Sequence, residues 1–160
     1  MSTRTEKYTN LGRNSPKHRT YFIDIDGTIL AHLSNGDLDL LDHYLEQNDF
    51  GSIEQKTIIL PHYLEWQDSI PKSTKIVLTT ARLHRHKHIT EYQLRTVGVV
   101  WDDIVYECNS GPRVLVNDLK PINALDNDTR LVMTTAYAIN LERNSGFENV
   151  LTFDKQTFNS

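Results

Sequence analysis

The sequence has little of what secreted, membrane-spanning or nucleic-acid-coating proteins depend on. Cys108 is its one cysteine, so no intrachain disulfide can form, and a reducing compartment such as the cytoplasm is expected. No apolar run is long enough to span a bilayer, and the N-terminus lacks the hydrophobic stretch of a signal peptide, so no membrane partner is expected. Positive charge is not in surplus. The 17 Lys and Arg stand against 21 Asp and Glu, a net charge of −4, which argues against a dedicated nucleic-acid binder but leaves room for a local basic groove. Internal repeats and low-complexity tracts are absent as well.

What is present is an ordinary globular composition, 38% hydrophobic and 24% charged over 160 residues, long enough for one domain with a proper core. Residues 1–20 are polar and mildly basic, with Arg4, Lys7, Arg13, Lys17 and Arg19, and read as a solvated tail. A nucleic-acid arm would interleave more aromatic residues than Tyr8 alone. Residues 21–160 are expected to form the single domain, with a short insert at about 31–57.

The chain is organised around Tyr21-Phe22-Ile23-Asp24-Ile25-Asp26-Gly27-Thr28-Ile29-Leu30. Its aromatic and β-branched residues predict a strand that delivers Asp24 to the carboxyl edge of a sheet, where open α/β sheets bind ligands. Gly27 permits a sharp turn without a Cβ penalty. Two carboxylates this close, Asp24 and Asp26, repel each other and favour a cation between them; Mg²⁺ takes such oxygen ligands. The pair suits nucleophilic attack on phosphorus by one acid with proton transfer by the other. The plainer reading of Asp-x-Asp-Gly is an acidic turn after an edge strand.

The fuller run through Thr28 resembles the first motif of the haloacid dehalogenase-like phosphohydrolases, an apolar strand ending in Asp-x-Asp-Gly-Thr. That resemblance implies Asp24 as the nucleophile that becomes an aspartyl-phosphate. It also implies Asp26 as general acid and base, with its main-chain carbonyl on Mg²⁺.

Further along, Lys75 to Thr80 is a predicted buried strand, with Ile76, Val77 and Leu78, ending in Thr79-Thr80-Ala81-Arg82. This resembles the family's second motif and assigns its hydroxyl to Thr80, with Thr79 the neighbouring candidate. Gly27 and Arg82 join Thr80 and Arg113 as expected phosphate-binding residues, although an Arg at a helix start is as readily a surface residue. Arg113-Val114-Leu115-Val116-Asn117-Asp118 repeats the pattern of apolar strand and terminal acid. It resembles the fourth motif, which implies that Asp118 joins Asp24 and Asp26 at the metal; a turn acid capping a helix is the alternative. Ile122 stands where the family commonly has a second acid, leaving Asn123 or water as the remaining ligand. Charge balance demands a nearby cation for the nucleophile and phosphate, and Arg113 is the candidate, with Arg95 and Lys120 as rivals.

Helices are predicted at Asp37–Gln47, Pro61–Ile70 with the proline in the first turn, Ile89–Val97 ending near Gly98, and Asp128–Asn144. Shorter strands are expected at Asp103–Glu107 and around Val150, Leu151 and Phe153. His84 and His88 share a helical spacing that suits a metal pair, but no carboxylate or cysteine completes it, and a solvated helix start explains both. The same basic run, His84 to His88, is a candidate contact for an anionic substrate.

The expected architecture is a Rossmann-like three-layer α/β sandwich with a mostly parallel sheet and a minimal cap. The expected activity is Mg²⁺-dependent hydrolysis of a phosphate monoester. Gly111 to Pro121, followed by Ala136 to Asn140, resembles a small set of phosphatases associated with capsule or surface-sugar biosynthesis, which implies a sugar phosphate as substrate. A nucleotide or polynucleotide phosphatase and a non-catalytic phosphosugar-binding protein are the alternatives. A homo-oligomer whose neighbour lends a lid is a further expectation for a nearly capless site.

Overall fold

The computed structural model describes residues 18–121 and 132–158. Strands β1 (Thr20–Asp24), β2 (Lys75–Thr79) and β3 (Asp103–Val105) form a parallel sheet in the order β1-β2-β3. Helices α1 (Asn35–Glu46), α2 (Phe50–Lys56) and α3 (Tyr63–Ser69) lie between β1 and β2 in the chain, α4 (Lys87–Thr96) follows β2, and α5 (Glu148–Thr157) comes last. A 3₁₀ turn, His84–His86, leads into α4. Two short strands, β4 (Lys120–Pro121) and β5 (Val132–Met133), pair antiparallel. The architecture is mixed α/β with a small parallel sheet.

The strand register sets Asp24 beside Thr79 and Leu78 beside Ile104. Parallel pairing therefore brings the carboxyl ends of β1 and β2 to the same edge. Beneath them the main core gathers Ile23, Ile25, Ile76 and Leu78 of the sheet region with Tyr63 and Trp66 of α3, Leu94 of α4, and Phe147 and Val150 at α5. A smaller core joins the insert to α4 through Leu38, Leu41, Ile53 and Ile89. Helix α1 starts at a capping box: Asp37 N–H donates to Ser34 Oγ at 3.1 Å, and Ser34 N–H donates to Asp37 Oδ2 at 3.0 Å. Helix α2 is an element that the sequence reading did not anticipate.

Several expectations are corrected. Arg113–Asp118 forms no strand; Val114 and Val116 are 84% and 88% exposed. An apolar run carries strand propensity, but a strand persists only where a neighbour takes its N–H and C=O groups, and no described strand pairs with this segment. Among the described residues β1 is thus an edge strand. The helix expected over Asp128–Asn144 is not formed in its described part, where β5 is followed by irregular chain; β-branched Val132, Thr134 and Thr135 favour the extended form. Residues 122–131, including Ile122 and Asn123, and residues 1–17 of the expected tail lie outside the described residues.

The last expected strand is helix α5 instead. Val150 and Asp154 are buried four residues apart on one helical face, a period that three apolar residues at 150, 151 and 153 do not reveal. Strand β3 stops at Val105, two residues earlier than expected, before Glu107 adopts φ +60°. Pro61 precedes α3 rather than opening it, because His62 turns the chain at φ +69°. No described helix is long and apolar enough to cross a membrane.

Candidate active site

The loop after β1 is shaped by its own backbone bonds. The N–H groups of Ile29 and Leu30 donate to Ile25 O at 2.9 and 3.1 Å, and Gly27 N–H donates to Leu30 O at 2.7 Å. Gly27 sits at φ +81°, and a Cβ there would lie 3.0 Å from Cγ of Arg143. Glycine is thus required for the turn. Its N–H is spent inside the loop rather than offered to an anion.

Asp24 emerges at the strand end with its side chain 38% exposed. Arg113 Nη2 lies 3.5 Å from its Oδ1, and Thr28 Oγ1 donates to its Oδ2 at 3.2 Å. Burial pushes the Asp24 carboxyl above its ordinary range, against the pull of Arg113 and Thr28, and the neighbouring Asp26 charge adds to the rise. Of the three cations considered from sequence, Arg113 is the one set against Asp24. Arg95 pairs with Glu91 at 3.7 Å, and Lys120 pairs with Asp118.

Asp26 faces a different cation. Arg82 donates from Nε to Oδ2 at 2.8 Å and from Nη2 to Oδ1 at 2.7 Å, a two-pronged clamp. Its Nη1 donates to Thr90 Oγ1 at 2.9 Å and to Gln93 Oε1 at 2.7 Å, and the residue is 2% exposed. Arg82 is therefore an internal clamp with four of its five N–H donors engaged by Asp26, Thr90 and Gln93, not the open phosphate fork expected from its place after Thr80. Thr90 and Gln93 were missed. Both are fully buried polar residues interrupting the apolar face that Ile89 and Leu94 define on α4, and that interruption was the available signal.

Thr79 is partly buried and directly beside Asp24 in the register. Thr80 is fully buried; its Oγ1 accepts from Arg82 N–H at 3.0 Å, its own N–H donates to Val105 O at 2.9 Å, and its carbonyl accepts from Cys108 N–H at 2.9 Å. Asp118 is not brought to this cluster. Its exposed carboxylate is paired with Lys120, which holds it below the ordinary aspartate range. Among the described residues no group of three or more His, Cys, Asp or Glu is arranged to hold a metal ion. His84 and His88 are both exposed, one in the 3₁₀ turn and one in α4.

A cavity of about 420 Å³ opens next to Thr80, lined by Asn35, Ala81, Leu83, Glu107, Cys108, Asn109 and Ser110. Glu107, in its unfavourable left-handed conformation, sits on this rim and accepts from His84 N–H at 3.1 Å. Another cavity, about 360 Å³, lies at the opposite end of β2 around Lys72, Thr74 and Asp102 and has none of these groups. The first cavity lies beyond the carboxyl end of β2, the end that β2 shares with β1, and neither Asp24 nor Asp26 lines it. Comparison of the whole chain with models of known protein families, with curated proteins and with solved structures yields no match.

Proposed function

We propose that the protein is a phosphomonoester hydrolase of the haloacid dehalogenase-like type, with the corresponding Rossmann-like sandwich and the α1–α2 insert as a minimal cap. The observation that carries this reading is the pair of acids at the end of β1, each with its own arginine: Asp24 with Arg113 and Asp26 with Arg82. One acid is accessible and loosely paired; the other is clamped. That division of labour suits a nucleophile and a proton-transfer group.

In this reading an Asp24 carboxylate oxygen attacks phosphorus in line and forms the new P–O bond. The bond to the leaving oxygen breaks, its electron pair stays on that oxygen, and Asp26 supplies the proton. Asp26 then takes a proton from water as that water attacks the aspartyl-phosphate, releasing phosphate and restoring Asp24. Arg113 balances the charge of the phosphoryl oxygens, and a threonine hydroxyl at the end of β2 donates to one of them.

The donor chemistry fits magnesium in part. Asp24, still partly open to solvent, and the main-chain carbonyl of Asp26 are oxygen donors, and Mg²⁺ is commonly held by one or two carboxylates, substrate phosphate and several waters. Asp118 stands outside that set. When bound, the ion would neutralise charge on the phosphoryl oxygens. The cavity beside Thr80, with Asn35, Glu107, Asn109 and Ser110, supports a hydroxyl-rich leaving group such as a sugar.

The test is phosphate release from sugar phosphates, nucleotides and phosphorylated oligonucleotides, with Mg²⁺ and with chelator, beside Asp24→Asn, Thr79→Val and Thr80→Val. Hydrolysis of sugar phosphates that disappears with chelator and with Asp24→Asn is the expected result, and the threonine whose loss costs more is the phosphate donor. If Asp24→Asn is as active as the parent, or nothing is hydrolysed, the aspartyl-phosphate reading fails. Binding of a phosphosugar without turnover would then mark a non-catalytic binder.

A further inference from the structure

The clamp on Asp26 points to a role for Arg82 that its sequence position did not suggest, resting on the phosphomonoesterase reading above. We propose that Arg82 is the positioning residue of Asp26, holding the plane of its carboxylate for proton transfer, and that Thr90 and Gln93 lock Arg82 in turn.

A carboxylate on a side chain with two rotatable bonds has no fixed direction unless something holds both oxygens. Arg82 holds both, at 2.8 and 2.7 Å, through Nε and Nη2. Each oxygen has two lone pairs, so one on each is left for the proton that passes to the leaving oxygen. The guanidinium is planar, and its remaining arm is pinned by Thr90 Oγ1 and Gln93 Oε1 at 2.9 and 2.7 Å, so it cannot swing toward a phosphate without breaking buried hydrogen bonds.

The chain of bonds extends further. Gln93 Nε2 donates to Thr57 Oγ1 at 2.9 Å, and Thr57 Oγ1 donates to Ile53 O at 2.8 Å, at the C-terminal end of α2. Asp26 is therefore tied through Arg82 and Gln93 to the insert that sits between β1 and β2. The direction of the acid and the seating of the insert share one hydrogen-bond network, buried at its centre around Arg82, Thr90 and Gln93.

A phosphate ligand and a positioning residue fail differently. Losing a phosphate ligand weakens phosphate binding and slows every ester alike. Losing the aim of a general acid slows esters with poor leaving groups and spares those whose leaving group departs without a proton. The experiment compares Arg82→Lys, which keeps the charge but not the fork, and Gln93→Met, a milder variant less exposed to misfolding. The full-length chain is assayed with an alkyl phosphate and with p-nitrophenyl phosphate. The rate constant compared is kcat/KM, which reads only the steps through the first phosphoryl transfer.

For Arg82→Lys the expected loss is about 10²-fold on the alkyl ester and less than ~10-fold on the nitrophenyl ester. The inhibition constant of inorganic phosphate should stay within about 3-fold of the parent. Gln93→Met should show the same selectivity with a smaller loss. Equal losses on both esters, or a phosphate inhibition constant raised about 10-fold or more, would make Arg82 a phosphate ligand or a purely structural residue and overturn the proposal. A parent protein that hydrolyses neither ester overturns the phosphatase reading itself, and the positioning role with it.

Discussion

Nε2 of His86 and Oδ1 of Asp39 lie 2.6 Å apart, joining helix α1 of the insert to the turn that begins α4. His86 is fully buried, whereas the Asp39 side chain is 52% exposed and also faces Arg85 at 3.3 Å. The hydrogen bond from His86, with Arg85 beside it, holds the Asp39 carboxyl below its ordinary range. A carboxylate depressed in the folded state stabilises the fold above its unfolded pKa, near ~3.9, and that contribution is lost as pH falls through the folded value. Asp39→Asn is therefore expected to lower the urea midpoint at near-neutral pH, with the gap to the parent narrowing below about pH 4. A urea series across that range measures the gap; one of constant size would show that the Asp39 charge contributes nothing.

On the phosphatase reading Arg113, the cation against Asp24, balances transition-state charge, so Arg113→Met should reduce kcat/KM by about 10²–10³-fold, the usual cost of removing one such group. Arg95→Met and Lys120→Met remove cations paired with Glu91 and Asp118 and should change it by less than ~3-fold. Steady-state kinetics of the three variants decides among them. A large loss in Lys120→Met would move the charge-balancing role there.

Asp154 on α5 is 3% exposed and anchors three groups: Trp66 Nε1 donates to its Oδ2 at 2.8 Å, the Tyr21 hydroxyl donates to its Oδ1, and Arg19 Nη2 lies 3.9 Å from Oδ2. Burial, with the Asp154 hydrogen bond second, pushes the Tyr21 hydroxyl far above its ordinary range and keeps it a donor. Asp154→Ala removes the buried acceptor that Trp66 Nε1 and the Tyr21 hydroxyl share and should cost about 3–5 kcal/mol, read from urea unfolding. A cost below ~1 kcal/mol would mean that α5 does not depend on this anchor.

Two glycines should respond with opposite signs. Gly146 sits at φ +93°, and a Cβ there would lie 2.5 Å from the carbonyl oxygen of Pro61, which accepts from Phe147 N–H at 2.8 Å. Gly146→Ala should therefore destabilise the fold by at least about 1–3 kcal/mol. Gly51 lies in α2 with nothing within 4 Å of its would-be Cβ, so Gly51→Ala should stabilise by ~0.5–1 kcal/mol. Thermal denaturation of both variants gives the signs directly, and a stabilised Gly146→Ala would contradict the packing described at Pro61.

Periodicity made much of the fold legible. Strands β1 and β2, helices α1 and α4 and the turn at Gly27 follow from β-branched runs, apolar spacing and turn chemistry, all local properties. The same logic failed at Val114-Leu115-Val116 and at Val150-Leu151-Phe153. In the first case strand propensity met no pairing strand among the described residues; in the second, the residue that settles the helical face is the polar Asp154. Neither a missing neighbour nor a buried acid leaves a mark in hydrophobic spacing.

At the candidate site the division is similar. The sequence alone determined that two acids and a glycine stand together at the end of the first strand, because neighbouring positions in one chain cannot be far apart. Which cation serves which acid was a tertiary decision. Arg113 reaches Asp24 from 89 positions away in the chain and Arg82 reaches Asp26 from 56, contacts that depend on how the loops return to the sheet edge. Burial decided the rest: out of water, a guanidinium must satisfy its donors with protein, and that need binds Arg82 to Asp26, Thr90 and Gln93 rather than to solvent.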